Sequence, residues 1–279
     1  MAIFRLTVDL ECHEYPPSHE YLAIISHLLD RLAEQSIRAT FFVNGTAIAS
    51  DSGRQSVKEI AERGHEIASH GFAHEFVRAQ TPRSFADDLK KSRDQIAAII
   101  GRVPNGYRAP YFSISHDVLW APEIIATAGF EYSSSVLPAY NPQCGFPRAP
   151  RRPFTWPCGL PEFPVPVLGL GNFRLPLLGG GYFRLMPKTL TTFVRKQQLR
   201  SGDTWTYVHP YDLSSRIPVH TPTKSAPWMR SVINFNRDNG ISAYLKLLTP
   251  TNVSLGDMVR THAFKDSLPK FTPRNLTRN

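Results

Sequence analysis

Apolar positions along this chain fall into two kinds of run: short β-prone stretches and longer stretches at helical spacing. AIFRLTVDL, residues 2–10, predicts a buried strand. EYLAIISHLLDRLAEQS, residues 20–36, places its apolar side chains on one face and predicts a helix. RATFFVNG (38–45) predicts a second strand closed by Asn44-Gly45, SGRQSVKEIAERG (52–64) a helix stopped by Gly64, and HEIASH (65–70) a third strand. TPRSFADDLKKSRDQIAAIIG (81–101) predicts a long helix with Pro82 near its start and Gly101 at its end. NGYRAPYFSI then reads as strand into loop, SHDVLWAPEIIATAG (115–129) as a helix, and FEYSSSV (130–136) as a strand.

Strand–helix alternation of this kind implies parallel strands with crossover helices, as a barrel or a doubly wound sheet. No G-x-G-x-x-G opens a helix after the first strand, which argues against a dinucleotide fold. Between residues 138 and 166 prolines cluster, and an extended surface excursion with short edge strands is expected there. Beyond it, LPLLGGGYFRLMP sets a triple glycine before a strand-like aromatic segment, and PKTLTTFVRKQQLRSG predicts a helix. DTWTYVHPYDL predicts a strand ending in a loop, APWMRSVINFNRDNG (226–240) a helix, and SLGDMVRTH the last helix. A single domain over residues 1–265, with the proline-rich insertion at about 138–166, and a flexible tail over 266–279 are expected.

The 279 residues include 42% hydrophobic side chains, enough for one buried core. A net charge of +9 favours an acidic partner, but the basic residues form no run dense enough for a nucleic-acid patch. The three cysteines, Cys12, Cys144 and Cys158, form no C-x-x-C, which fits free thiols in a reducing compartment. Neither a signal-peptide pattern nor a membrane-length apolar run is present, so a cytoplasmic protein is expected.

Chemistry gathers where predicted strands end. Asp9 and Glu11 follow the first strand and point to one side of it. His70 and His74 follow the third, Arg108 and Tyr111 the next, and His209 and Asp212 a late one. In a barrel these ends share one face. Two imidazoles four residues apart, brought together on a helical turn, need one carboxylate to make a three-ligand site open to water. Alone, each group also has an ordinary reading: exposed loop histidines, a strand-end capping pair, a surface ion pair, an Asx turn at Asp212. No G-x-S-x-G elbow is present, which disfavours acyl-enzyme chemistry.

Taken in order, TVDLE, HEIASHGFAH, YRAPY, EYSSS, GGGYFR and VHPYD resemble the polysaccharide deacetylases of the NodB-homology group, carbohydrate esterase family 4. The likeness spans about residues 3–215 and is nearest to the branch associated with exopolysaccharide and surface-glycan synthesis. It implies a distorted (β/α) barrel and removal of an N- or O-acetyl group from a sugar. It also implies one divalent cation, most often zinc, with cobalt, nickel or manganese as alternatives. By position, Asp9 resembles the catalytic base, His70 and His74 metal ligands, Arg108 the arginine that orients the base, and His209 the general acid. Tyr111 resembles the residue whose backbone N–H meets the oxyanion; Tyr111, Tyr182 and Asp212 are taken as substrate-binding.

Many members carry an aspartate directly after the base, where this chain has Leu10. Others place the ligand two residues after the base, which makes Glu11 the third ligand here, with Asp9 the alternative. An aspartate that tunes the acid histidine is often found in the EYSSS segment; Ser133 stands there instead, and Asp212 is its candidate substitute. A cytoplasmic enzyme of this kind would meet nucleotide- or lipid-linked sugars. Its basic charge and the GFPRAPRRPFTWP stretch suit a diphosphate-linked precursor with peripheral contact at the inner membrane surface, and no nucleic acid. Two other readings stay open. One is a metal-independent C–N hydrolase of the allantoinase type, against which the two histidines argue. The other is a decayed glycan-binding homologue, for which Ser133 and Glu11 argue.

Overall fold

The structure is a computed structural model that describes residues 2–12, 17–170, 173–217, 235–237 and 240–273. Strand β1 (Phe4–Leu10) is buried along its whole length, yet its side chains alternate in character. Phe4, Leu6, Val8 and Leu10 join the larger apolar core, which also takes in the buried face of helix α1 (His19–Glu34). Arg5, Thr7 and Asp9 alternate with them and are bonded inside the protein. A strand buried on both faces has no solvent side, so its polar residues need internal partners.

Strands β2 (Thr40–Val43), β3 (Glu66–Ser69), β4 (Gly106–Tyr107) and β5 (Tyr132–Ser133) follow β1 in parallel, each joined to the next by a crossover. The crossovers carry α2 (Asp51–Glu62), α3 (Pro82–Ile100) and α4 (Ala121–Thr127). Helix α3 starts on a Thr81–Ser84 capping box with Pro82 in its first turn, and it stops at Gly101 with φ 71°. Residues 115–129 form a 3₁₀ turn and then the short α4 rather than one long helix.

The complete sheet has eight strands in the order β10-β1-β2-β3-β4-β5-β7-β6, where β6 is Phe154–Thr155, β7 is Pro161–Glu162 and β10 is Thr204–Val208. Only the β6–β7 pair is antiparallel, and among the described residues no pairing of β10 with β6 closes the barrel. The expected (β/α) barrel is therefore a curved, open one. Its hollow is filled by Phe42, Ala68, Tyr132, Phe163 and Trp205 and by the helix Leu255–Arg260. That helix lies at the strands' starting ends: the Leu255 amide donates to Thr40 Oγ1 and the Gly256 amide to Glu66 Oε2. With that end plugged, only the end where strands finish is left for a cleft.

Three expectations need correction. The proline-rich stretch holds the expected short strands, with β6 at the sheet edge, but is not wholly a surface excursion: Phe154, Trp156 and Phe163 are fully buried, and β7 pairs with β5 inside the sheet. GGGYFR is not strand-like but forms α5 (Gly180–Leu185), which leads through Pro187 into α6 (Lys188–Arg200). Nor is SLGDMVRTH the last element, since the helix His262–Ser267 follows it and Lys270 then bridges Thr155 on β6. Phe271 packs on Phe146, Phe154 and Trp156, so the expected free tail is docked as far as residue 273. Between β7 and α5 lies a hairpin of β8 (Leu168–Leu170) and β9 (Phe173–Leu175). The helix expected at 226–240 lies almost wholly outside the described residues.

Candidate metal and catalytic site

Glu11 sits one residue past the end of β1, and its Oε1 lies 3.0 Å from His70 Nε2 and 2.8 Å from His74 Nε2. The two imidazoles are not on a helical turn, as their spacing suggested. They flank a loop after β3 that reverses through left-handed backbone at Gly71 (φ 72°) and His74 (φ 57°). Asp88 of α3 pins this loop, accepting from the Phe72 and Ala73 amides at 2.8 Å each. A Cβ on Gly71 would meet Asp88 Oδ2 at 3.1 Å. A non-glycine residue held in left-handed backbone is strain that the surroundings must impose, and such strain gathers at functional sites.

The chemistry of these donors fits a divalent cation. His70 Nδ1–H donates to the Arg108 carbonyl oxygen at 2.9 Å, which leaves its Nε2 lone pair facing the Glu11 carboxylate. Two acceptors at that separation repel unless a positive charge lies between them. One carboxylate oxygen and two imidazole nitrogens are donors that zinc and its neighbours accept. Glu11, His70 and His74 form the one such group of three found among the described residues. Asp9 is engaged elsewhere.

Asp9 is buried, and Arg108 Nη1 donates to its Oδ1 at 2.5 Å. The guanidinium is itself fully held: Nη1 also reaches Thr7 Oγ1 at 2.9 Å, Nε the Ser134 carbonyl and Nη2 Ser134 Oγ at 3.0 Å. The Phe42 ring lies 3.8 Å beneath it. Asp9 Oδ2 points the other way and is 3.9 Å from His209 Nε2. His209, just past β10, is also 3.6 Å from Glu11 Oε1.

His209 Nδ1 donates to Asp212 Oδ2 at 3.0 Å, and the same oxygen accepts the His209 backbone N–H. The other Asp212 oxygen takes Arg184 Nη2 at 2.9 Å. Burial alone pushes His209 down, but Glu11, Asp212 and Asp9 together carry it up to about 9. Burial likewise raises the Asp212 carboxyl, yet the hydrogen bond and charge of His209, with Arg184, outweigh it and hold it below the usual carboxylate range. Asp212 is thus sealed behind His209 and is not a substrate contact, contrary to expectation. Ser133 takes no part in this pair: its hydroxyl donates to Ser135 Oγ at 2.8 Å within the sheet.

Tyr111 adopts φ 60°, ψ 15°, and its ring stacks on Phe76 at 4.1 Å and lies 4.8 Å from His74. Tyr111 and Tyr182 both border the cavity of about 340 Å³ into which Asp9, Glu11, His70, His74 and His209 open. Tyr182 reaches it because α5 begins flush against β10: a Cβ on Gly179 would sit 2.3 Å from the Tyr207 ring. Sequence reasoning missed Asp88, Arg184 and Tyr211, whose ring stacks on His209 at 4.5 Å. Asp88 and Arg184 act on loops 15 or more positions away, whereas Tyr211 lies two residues from His209. The GGGYFR motif contains Arg184 and the VHPYD motif contains Tyr211, but Asp88 falls in neither.

Residues 19–132 match the family model Polysaccharide deacetylase, and residues 134–254 match a domain of unknown function (DUF3473). By that match residues 19–132 belong to the polysaccharide deacetylase family. The chain is 33% identical to a peptidoglycan deacetylase of Helicobacter pylori over 113 residues, 40% of this chain and 37% of that protein. With a chitin deacetylase of Pestalotiopsis sp it shares 33% identity over 92 residues, 33% of this chain and 31% of that one. These matches therefore span only about a third of either relative. The crystal structure of a candidate polysaccharide deacetylase from Mycobacterium smegmatis superposes with a TM-score of 0.63 at 19% identity, covering 100% of this chain and 95% of that one. That likeness is one of fold.

Proposed function

We propose that this chain hydrolyses the acetyl group from an acetylated sugar of a surface polysaccharide, glycan or glycan precursor. In this reading Glu11, His70 and His74 hold a divalent cation, most readily zinc. The observation that carries it is the convergence, in one cleft, of the Glu11–His70–His74 donors with an arginine-held carboxylate and a carboxylate-held histidine on either side. The names of the relatives, a peptidoglycan and a chitin deacetylase, favour an acetylated amino sugar.

Bound there, a divalent cation supplies Lewis acidity to the acetyl carbonyl and lowers the pKa of water toward roughly 7. Asp9 accepts the proton of the attacking water through Oδ2, while Arg108 keeps the carboxylate aimed by holding Oδ1. As the water oxygen bonds to the acetyl carbon, the Tyr111 backbone N–H stabilises the developing oxyanion, a contact worth about 3–4 kcal/mol in such sites. His209 then gives its Nε2 proton to the departing nitrogen or oxygen, and the bond to the acetyl carbon breaks to release acetate. Asp212 and Arg184 fix the ring that does this. Tyr182 borders the space a sugar ring would occupy.

The test is acetate release from a chitooligosaccharide, run beside cation content by elemental analysis. The parent is expected to hold one divalent cation per chain and to release acetate. His70→Ala is expected to lose both, and a variant that kept both would refute the ligand assignment. Ammonia or urea chemistry without a cation would favour the metal-independent C–N hydrolase, and sugar binding without acetate a non-catalytic homologue.

A further inference from the structure

The positive charge of this chain is concentrated in one stretch. Between Glu131 and Asp203 lie nine arginines and lysines and a single carboxylate, Glu162, while the rest of the sequence is within one charge of neutral. Glu162 contributes nothing to the surface: it is fully buried, accepting the Ser135 and Val136 amides and the Trp156 indole N–H.

The same stretch exposes large apolar side chains. Tyr182 and Leu185 of α5, Leu190 and Phe193 of α6 and Phe173 of β9 are each between 42% and 75% exposed. Helix α6 buries Thr191, Val194 and Gln198, so the side turned to solvent carries Phe193, Lys196 and Arg200, with Leu190 at its flank. Leu190 and Phe193 thus face solvent, whereas the usual helix turns such side chains to the core. Lys188, Lys196 and Arg200 are exposed, and none forms an ion pair with a described residue.

We propose that this α5–α6 face, with Phe173 of β9, docks on an anionic lipid surface. Phe193, Leu190 and Leu185 would enter the headgroup region while Lys188, Lys196 and Arg200 meet lipid phosphates. Bulky apolar side chains set among unpaired basic ones, on two helices joined by a short turn, match a flat charged interface. The proline-rich stretch, which the sequence put forward for such contact, has its aromatic side chains Phe146, Phe154 and Trp156 packed inside. Tyr182 belongs to both the docking face and the wall of the cleft, which Arg174 and Leu175 of β9 also line. The cleft mouth therefore borders the membrane, and the substrate it meets is an acetylated sugar attached to a lipid. This last step rests on the deacetylase reading; the docking does not.

The experiment is co-sedimentation of the full chain with vesicles of phosphatidylcholine alone or mixed with phosphatidylglycerol. Binding is expected only to the anionic vesicles and should fall with added salt. Lys188→Gln and Lys196→Gln should each weaken it about fivefold. Leu190→Glu with Phe193→Glu should remove it, with helical circular dichroism and acetate release from a soluble chitooligosaccharide unchanged. Equal binding to neutral vesicles, or no binding at low salt, overturns the proposal. So does a chain that pairs with itself or with an acidic protein through Phe193 while ignoring vesicles. Acetate release can fail while vesicle binding holds, and the reverse, so the two readings are separable.

Discussion

The stretch from β1 to β5 and the stretch from β6 to β10 contribute to the same cleft by different means. The first supplies the three donors, Asp9 and Arg108 from strand ends and the loops just after them, with a buried guanidinium bonded at every nitrogen. The second supplies His209, its Asp212–Arg184 support and the wall bearing Tyr182. The same device, a buried carboxylate spanning a cation and a working group, is thus built twice. In the proposed mechanism the carboxylate reacts and arginine steadies it in one case, and the histidine reacts and the carboxylate steadies it in the other. In both, a buried carboxylate is paired with a buried arginine, but the member proposed to react differs.

That division can be broken by experiment. The largest effect is expected at Asp9→Asn, which should keep the cation by elemental analysis yet lower kcat roughly 10²–10⁴-fold, the range of a positioned general base. Turnover equal to the parent would remove Asp9 from the mechanism. Asp212→Asn should cost less, roughly 10- to 100-fold in kcat, because it removes one charge-assisted hydrogen bond from a histidine that remains in place. If Asp212→Asn proved the more damaging, the second stretch would be more than a support.

A third test uses pH on chelator-treated protein. His209 titrates at about 9 in the fold against an ordinary 6.5, because Glu11, Asp212 and Asp9 outweigh its burial. The stability from its proton is therefore fully present below about 6.5 and is lost as pH rises through about 9. The urea midpoint should fall across that window, and His209→Gln should flatten the fall. The smallest effect is expected at Phe271→Ala, about 1–2 kcal/mol for a partly buried ring. It should lower the urea midpoint with kcat unchanged.

What the sequence made legible follows the same border. From residue 4 to residue 136 the strand and helix periods are long enough to read, and the structure keeps their order. Strands β4 to β9 are each only two or three residues long, and between 138 and 166 prolines also interrupt any period, so burial of Phe154, Trp156 and Phe163 left no pattern to find. The residues that meet in the cleft were legible when they stood at or just past a strand end, as Asp9, Glu11, His70 and His209 do. The spacing of His70 and His74 suggested a helical turn, whereas a left-handed loop pinned by Asp88 delivers them. Arg184 was unreadable as a partner of Asp212 because nothing local records a contact across 28 positions.

The bridge from Lys270 to Thr155 has a consequence for how this protein keeps company. Strand β6 is the last rung of an open ladder, and an unclaimed rung invites a foreign chain to join it. Here the amide of Thr155 is taken by the Pro269 carbonyl and its carbonyl by the Phe271 amide, both at 2.9 Å. Proteolytic trimming back to residue 267 would leave the cleft chemistry in place and yet uncover that rung, so clipped preparations should clump well before they lose catalysis.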